Sequence, residues 1–397
     1  MTHQKKLKVV LPTIVYSGFT GVELYLYELS KALVAQGHDV TILCPVPEGE
    51  LVERTRANGV SVYSFDTCPS SWAPDIIHGN EKLPTIYALM RWPDAPAVAT
   101  IHSQFTVEEP FLSDRIYAYI GIRQEIIDHL IGNYNISEGR TRLIYNGFDF
   151  KRFRSASAKM SDRADTILFV GTIDSIRQKS IQHLIDYTAT HHLKLRIVGK
   201  KYESYLDTQL PNHVEILAPR WDVESLFTPD VCATAGVLLG RSTIEGWIAE
   251  RPGWIYDITT DGSVKSVALH QVPNDIDKFD INNVAIDITE VYKESIAHAS
   301  HTLLSPHTFH DVYHVNSELV SRSISQGMIA HDLINRCDYL EGVLSQLSER
   351  VNVIERTQNS VSGQLHEIEK IIHTLRLDGV HKLYRSIKKK IPSRRNI

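Results

Sequence analysis

The sequence predicts an α/β protein made of two similarly built domains, followed by a long helical segment. Short apolar strands alternate with helical segments over residues 8–147, a polar segment interrupts them at 152–165, and the alternation restarts over 166–258. This alternation is typical of parallel βαβ units whose sheets are covered by helices on both faces. Ligands of such folds lie beyond the carboxyl ends of the strands, so two facing domains predict a ligand cleft between them.

The first domain, expected over residues 1–152, opens with a buried strand at 8–12 and a loop that contains Gly18 and Gly21. A helix over 22–37 follows, with leucines along one face. Further strands are predicted at residues 38–45, 60–65, 75–78, 97–102, 116–121 and 142–147, and a second helix at 122–134.

A second domain is expected over residues 153–290, and a helical return segment over 291–330. The polar segment 152–165 has no apolar periodicity and predicts a linker between the domains. Strands of the second domain are predicted at residues 166–171, 193–199, 213–217, 230–235 and 253–258.

Residues 331–376 carry a heptad repeat and predict a coiled coil. Apolar residues recur with 4-3 spacing over about six repeats, a narrower stripe than the apolar face of a globular helix. Gln358 is the polar exception, and one polar a position fixes register at a cost in stability. The alternative is a long amphipathic helix packed on its own protein. The a positions are Cys337, Leu344, Val351, Gln358, Leu365 and Ile372, and the d positions are Leu333, Leu340, Leu347, Ile354, Val361, Ile368 and Leu375.

The end of the chain, residues 377–397, is a basic amphipathic tail. From Arg376 onward the chain carries eight Lys or Arg residues and one acid, Asp378. Apolar residues interrupt the charges. The tail therefore predicts either contact with an anionic membrane surface or a solubilising end, and the pattern does not decide between them.

Composition narrows the class of protein. The 397 residues suit two or three domains, and a formal net charge of −5 gives no reason to expect nucleic acid. The four cysteines form no C-x-x-C pair, which argues against a zinc site or a disulfide framework and favours a reducing compartment. No apolar run reaches the ~18 residues that a membrane span needs. We expect a cytoplasmic protein, with a peripheral position at the inner face of the membrane if the tail binds there.

Motifs in a fixed order carry a resemblance to a known family. They are the loop GFTGVE from Gly18, a strand ending in IH at His102, the boundary motif YNGFDFKRF (145–153), the strands LFVG and LRIVG, and a helix that carries Glu245 before RPGWIYD. In this order they resemble the retaining glycosyltransferases of family 4, over roughly residues 7–260. The resemblance implies the GT-B fold, with two Rossmann-like domains, a facing cleft and a nucleotide-sugar donor in the second domain.

The resemblance implies that Glu245 accepts hydrogen bonds from the ribose hydroxyls of the donor. A carboxylate is an acceptor suited to a vicinal diol, and bonds to it are stronger than bonds between neutral groups. The alternative is a helix-end charge worth up to about 1 kcal/mol. We expect the first turn of the same helix to contact the donor. Its residues are Gly240, Arg241, Ser242 and Thr243.

Two departures from the family pattern bear on the donor site. Val237 stands where the family often has a second Glu that contacts the sugar, and Thr172 stands where a phosphate-binding Arg normally follows the LFVG strand. Lys179 and Arg177 are the candidate replacements, because a diphosphate in a dry site needs cationic or amide partners. The alternative is that they form a solvated charge pair in a loop.

On the acceptor side, the resemblance makes His102 the candidate catalytic residue and assigns Gly18, Gly21 and Glu23 to the acceptor loop. His102 is otherwise a structural histidine at a strand end, and Glu23 a first-turn helix charge. The implied mechanism is front-face attack: the acceptor hydroxyl enters on the face that the phosphate leaves, and the phosphate helps to take the proton. The protein supplies positioning and charge stabilisation. No metal or other cofactor is expected.

We therefore expect a transferase that moves a sugar from a UDP- or GDP-linked donor to a glycan or lipid-linked glycan in cell-surface polysaccharide biosynthesis. The coiled coil predicts a homo-oligomer or a partner protein. Two alternatives stay open. One is a non-catalytic GT-B scaffold, which Val237 and Thr172 favour, and the other is a GT-B enzyme such as a nucleotide-sugar epimerase. A Rossmann dehydrogenase is disfavoured because the glycine fingerprint is absent.

Overall fold

The computed structural model describes residues 5–301, apart from 105–109, 111, 202–209 and 260–261. Within this part the chain forms two sheets covered by helices, as the strand and helix pattern predicts. The predicted coiled coil at 331–376, the basic tail at 377–397 and most of the return segment lie outside the described residues. Among the described residues, no helix combines the length and apolar character that crossing a membrane requires.

The N-terminal domain is built on a parallel sheet. Its strands are β1 (Lys8–Pro12), β2 (Asp39–Leu43), β3 (Ser61–Tyr63), β4 (Ile76–Gly79), β5 (Ala97–Ile101), β6 (Ile116–Gly121) and β7 (Thr141–Leu143), in the order β3-β2-β1-β4-β5-β6-β7. Its helices are α1 (Gly21–Ala35), α2 (Glu50–Ala57), α3 (Lys82–Arg91) and α4 (Gln124–Tyr134). The strand order reverses between β1 and β4, and such a switch point leaves a crevice at the carboxyl edge of the sheet.

The C-terminal domain repeats this plan with one antiparallel strand at its edge. Its strands are β8 (Thr166–Val170), β9 (Lys194–Val198), β10 (Val214–Leu217), β11 (Val231–Val237), β12 (Gly253–Ile258) and β13 (Val264–His270), in the order β10-β9-β8-β11-β12-β13. Its helices are α5 (Phe150–Ala156), α6 (Ser175–Thr190) and α7 (Arg241–Ile248), and α8 (Ile281–His301) follows. Here the switch point lies between β8 and β11. The antiparallel strand β13 was not predicted from the sequence.

The predicted linker at 152–165 is wrong in its first part, which belongs to helix α5. The side chain of Asp149 caps this helix by accepting a hydrogen bond from the Arg152 N–H at 3.0 Å. Phe150 and Phe153 are buried in the core of the C-terminal domain. The cap and two buried rings stabilise a helix that the polar composition of the segment conceals.

Helix α8 differs from the predicted domain boundaries, because it begins at Ile281, before residue 291, and packs on the N-terminal domain. Val284, Ala285 and Ile288 are fully buried in the same hydrophobic cluster as strand β1 and helix α1. The chain thus returns from the second domain to the first. The apolar stripe of α8 completes the N-terminal core on one face of its sheet.

The two crossings between the domains are paired with each other. The Phe148 N–H donates to the carbonyl of Phe279 at 2.9 Å, and the Ile281 N–H donates to the carbonyl of Phe148 at 3.0 Å. A Cβ at Gly147 would lie 2.8 Å from the Cα of Ile281. The YNG motif therefore has a glycine because the returning chain passes against it.

A buried polar chain also fastens α8 to the sheet. The Nδ1 of His78 lies 2.6 Å from the Tyr292 hydroxyl and its Nε2 lies 2.7 Å from the Thr100 hydroxyl, which in turn bonds Tyr25. Burial lowers the pKa of His78 to about 3. The imidazole is consequently neutral in the folded protein over the physiological range.

This burial predicts a pH-dependent loss of stability. Between about pH 3 and its ordinary pKa of 6.5, His78 takes a proton only in the unfolded chain, so the free energy of unfolding falls as the pH falls below 6.5. We expect the loss between pH 7 and pH 5 to be about 2 kcal/mol smaller in His78→Gln, as measured by urea unfolding. The exposed His270→Gln should leave the loss unchanged, and equal losses in all three proteins would contradict this account.

Candidate functional site

Most of the predicted site residues lie near the carboxyl edges of the two sheets, in the loops and helices that follow the strands. In the N-terminal domain the carboxylate of Glu81 bridges the crevice, accepting from the Thr13 hydroxyl at 2.8 Å and the Ile14 N–H at 2.6 Å. In the C-terminal domain the Ser242 hydroxyl accepts from the Val170 N–H at 3.2 Å and donates to a carbonyl of β11. Loops at these edges are where α/β folds bind ligands.

The glycine loop before α1 is folded around Glu23. This buried carboxylate accepts hydrogen bonds from the backbone N–H groups of Ser17, Gly18 and Thr20, at 2.7, 2.7 and 2.9 Å. A Cβ on Gly18 would meet the Glu23 carboxylate at 3.2 Å, whereas Gly21 opens helix α1 with free space around its Cα. The contacts of Glu23 therefore match its structural interpretation: it holds the loop in shape.

His102 lies in a pocket at the ends of β4 and β5. The pocket is lined by Gly79, Asn80, Glu81, Lys82, Thr85, Ala99, Thr100, Ile101, His102 and Pro110. The Nε2 of His102 is 3.2 Å from the Oδ1 of Asn80, whose Nδ2 donates to a backbone carbonyl. This arrangement places a proton on Nε2. Burial, with the nearby charge of Arg123, lowers the pKa of His102 to about 3, so its imidazole is neutral.

Lys179 and Arg177, the predicted phosphate-binding residues, do not lie together in the structure. The Thr172 hydroxyl donates to Asp174 at 2.8 Å, and the guanidinium of Arg177 pairs with the same carboxylate. Lys179 instead bonds the hydroxyl of Ser263 at 2.6 Å. Arg177 therefore stays beside the switch point with its charge balanced by Asp174. Lys179, two residues further along α6, lies on the side of the β12–β13 turn.

Helix α7 presents two different faces to its surroundings. Gly240 is its N-cap residue, and Thr243 is fully buried against the sheet, close to Gly236 and Gly253. Together with Ser242, Thr243 serves the packing of the C-terminal domain. Arg241 and Glu245, four residues apart, lie together on the face toward the domain junction.

Arg241 and Glu245 form a buried ion pair. The Nη2 of Arg241 donates to Glu245 Oε1 at 2.9 Å, and the two side chains are only 13% and 4% exposed. The guanidinium of Arg241 lies over the ring of Phe148, 4.5 Å from its centroid. Glu245 is thus held beside the place where the chain crosses between the domains, with one oxygen already engaged.

Three residues at this junction were missed by sequence reasoning. Glu28 of α1 is 1% exposed, and the Nη1 of Arg152 approaches its Oε1 to 3.6 Å. Arg152 also bonds Glu224 at 2.6 Å. A signal for Glu28 was present in the sequence, because it is an acid on the apolar stripe that includes Tyr25 and Leu29.

Trp221 is the third missed residue, and it joins the two domains. Its ring lies 5.6 Å from that of Phe19 in the glycine loop and 4.9 Å from that of Tyr27 on α1. The guanidinium groups of Arg54 and Arg152 lie 4.7 and 4.4 Å from its centroid. Trp221 of the second domain therefore packs against Phe19, Tyr27 and Arg54 of the first domain and against Arg152 of its own, next to the loop that Glu23 shapes.

Comparisons with known proteins agree with this architecture. Residues 19–152 match the sequence profile of Glycosyltransferase Family 4. No curated protein matches the sequence. Among solved structures, a glycosyltransferase from Rickettsia africae ESF-5 has a TM-score of 0.55 and 15% identity, with 74% of this chain and 99% of that chain covered.

A second similar structure is Anabaena Alr3699/HepE in complex with UDP, with a TM-score of 0.51, 15% identity, and coverage of 73% of this chain and 100% of that one. The same Anabaena protein in complex with UDP-glucose has a TM-score of 0.50 at 15% identity, covering 82% and 100%. At these identities the likeness establishes the fold. The sequence match to Glycosyltransferase Family 4 lies within the N-terminal domain, and the similar solved structures share the two-domain fold.

The contacts of Glu23 predict a large effect on stability. Glu23→Ala removes an acceptor of three charge-assisted hydrogen bonds, and we expect a loss on the order of 3 kcal/mol in urea unfolding. Glu53→Ala, which removes an exposed ion pair on α2, should change stability by no more than about 0.5 kcal/mol. If Glu23 instead served only to contact an acceptor, Glu23→Ala would unfold like the Glu53 variant.

Proposed function

We propose that this protein transfers a sugar from a nucleotide-sugar donor to a glycan or lipid-linked glycan, with retention of the anomeric configuration. The observation that carries the proposal is the position of Glu245 and Arg241 on α7, the helix that starts at the switch point of the C-terminal sheet. A carboxylate there is an acceptor for a ribose diol. Structures of similar fold have been solved with UDP and with UDP-glucose, and UDP- or GDP-sugars are the donors we favour.

The diphosphate would lie against the first turns of α6 and α7. The N-terminal amides of these helices are suited to an anion. Thr172 and Arg177 are both bonded to Asp174, so Arg177 would act on the diphosphate only as an ion-paired group. The other positive charge near the diphosphate would be that of Arg241. Val237 offers no polar group to the sugar, so sugar contacts would come from the backbone around Gly240.

The acceptor would enter from the N-terminal domain, through the pocket beside His102. Its hydroxyl oxygen bonds the anomeric carbon as the bond from that carbon to the diphosphate oxygen breaks. The electron pair leaves with the nucleoside diphosphate, which also receives the hydroxyl proton on the same face. Neutral His102, with Asn80 fixing its tautomer, orients the reacting groups by hydrogen bonding. This scheme uses no metal or additional cofactor.

A non-catalytic scaffold is the second candidate function. The absence of an acid at Val237 and of a strand-end Arg at Thr172 favours it. The two functions differ in donor binding, since a scaffold with a degenerate donor site has no reason to retain affinity for a nucleotide sugar.

Donor binding by Glu245 is testable directly. Calorimetry with UDP-, GDP-, CMP- and dTDP-sugars should show binding of one nucleotide class by the wild type. Glu245→Ala removes a charged acceptor and should cost about 1.5–3 kcal/mol, roughly tenfold to over a hundredfold in affinity. Glu250→Ala is the matched control, since Glu250 is exposed just beyond the same helix. Binding that Glu245→Ala leaves unchanged would overturn its assignment, and no binding across the panel would favour the scaffold.

Assembly and membrane contact are proposed from the sequence of residues 331–397. A coiled coil over 331–376 would join copies of this chain or a partner protein, and the basic tail would hold the enzyme near a lipid-linked acceptor. The positive charge of the tail supports contact with anionic lipid, at about 1 kcal/mol per basic residue near the surface.

Deletion of residues 377–397 tests the role of the tail. The full chain should co-sediment with vesicles that contain anionic phospholipid, and the truncated chain should stay in the supernatant. High salt should release the full chain, since surface charges are screened within about 10 Å at 0.1 M. Equal sedimentation of both chains would show that the tail does not provide membrane contact.

A further inference from the structure

Glu28 is a buried acid without a hydrogen bond. Its side chain projects from α1 into the junction between the domains and is 1% exposed. Neither carboxylate oxygen has a hydrogen-bond partner among the residues that the structure describes. A buried charge in this condition is costly, and natural proteins rarely keep one unless another state of the molecule satisfies it.

Arg241 has the complementary feature. Its Nη2 donates to Glu245, but its buried Nε and Nη1 have no hydrogen-bond acceptor among the described residues. Arg152, the other guanidinium near Glu28, uses its Nη2 on Glu224 and on the Trp221 carbonyl. Among the described residues near Glu28, Arg241 thus has two buried donor atoms without an acceptor and Arg152 has one, its Nε, while both oxygens of Glu28 lack a donor.

The charges around Glu28 support a link between these two residues. Burial raises the pKa of Glu28 to about 7, and the opposing charge with the largest effect is Arg241, ahead of Arg152. Asp149 raises this pKa further and Lys31 lowers it. Arg241 is accordingly shared by two acids: Glu245 on its own helix, which it bonds, and Glu28 of the other domain, which it does not.

We propose that Glu28 is a positioning residue for the donor site, which accepts the unused N–H groups of Arg241 when a nucleotide sugar binds and so releases Glu245 to the ribose hydroxyls. This inference rests on the proposed function. In this exchange Glu245 loses the hydrogen bond from Arg241 and accepts hydrogen bonds from the ribose hydroxyls. Glu28 accepts hydrogen bonds from the Nε and Nη1 of Arg241. Arg241 stays stacked on Phe148 during this exchange.

The proposal gives the N-terminal domain a role in donor affinity. A residue of α1, in the domain that receives the acceptor, determines whether the ribose acceptor in the other domain is available. Without Glu28, Arg241 remains on Glu245 and competes with the donor. The alternative is a fixed interdomain contact that holds the domains together and has no effect on donor affinity beyond stability.

Calorimetry on the full chain with UDP-glucose and GDP-mannose separates these cases. Glu28→Gln should weaken binding of the accepted donor by five- to thirtyfold. In an Arg241→Met background, whatever the affinity of that variant, adding Glu28→Gln should change nothing, because Arg241 then no longer competes for Glu245. Glu53→Gln is the control for loss of a glutamate charge and should bind as the wild type does.

Two outcomes would overturn the proposal while leaving the proposed function intact. One is a wild type that binds a donor and a Glu28→Gln variant that binds it equally well. The other is an equal loss from Glu28→Gln with and without Arg241, which indicates a general effect on folding. A wild type that binds neither donor removes the proposed function, and this inference with it.

Proton release gives a second readout, which a purely structural role would not produce. At pH 7 a carboxyl that is partly protonated becomes ionised when it accepts bonds from Arg241, in the presence of Arg152, Lys31 and Asp149. Binding of UDP-glucose or GDP-mannose, neither of which titrates near pH 7, should therefore release protons. Titrations in buffers of different ionisation enthalpy measure this in the wild type itself, so the test stands even if Glu28→Gln does not fold. Proton release equal in wild type and variant, or absent from both, would contradict the proposal.

Discussion

The pairing of the two chain crossings at Phe148 is the constraint on which the arrangement of this protein depends. The outgoing chain passes against Ile281 of the returning chain at Gly147, and backbone hydrogen bonds from the N–H and to the carbonyl of Phe148 join the two crossings. The two crossings therefore join the domains at one place, beside Phe148. Phe148 is fully buried, and Arg241 lies over its ring. Helix α7, which carries Arg241, is thereby joined to the same place.

Because the charged side chains beside Phe148 are buried, their hydrogen bonds have a large effect on stability. In a dry interior, a hydrogen bond between charged groups is strong, and an unmade one costs much of the same energy. Glu28 and Arg241 come from different domains, and each keeps unused hydrogen-bonding atoms. Trp221, seated against Phe19 and Tyr27, holds the domains together without satisfying those atoms. Apolar contact thus joins the domains, and the exchange of polar partners that we propose would leave this contact intact.

The sequence carried most of the fold and a smaller part of the site. Strands such as Ile76–Gly79 were predictable because a strand buried on both faces is an uninterrupted apolar run. The linker prediction failed because helix α5 is stabilised by the Asp149 cap and by Phe150 and Phe153, a tertiary effect that polar composition hides. The position of Glu245 at the junction agrees with motif spacing, but its bond to Arg241 depends on which way α7 faces. The sequence could not decide between the two roles considered for Glu23, since a structural acid in the first helical turn and a ligand-binding acid would occupy the same position.

The departures at Val237 and Thr172 can be understood together with the junction. A strand-end arginine would sit within the C-terminal domain and hold a diphosphate regardless of the other domain. In this chain that position is a threonine bonded to Asp174, and Arg177 shares the same carboxylate. The guanidinium with unused donors has moved to Arg241, where an acid of the N-terminal domain also acts on it. In the proposed mechanism, the carboxylate of Glu245 therefore becomes available to a donor only when Glu28 of the N-terminal domain accepts the N–H groups of Arg241.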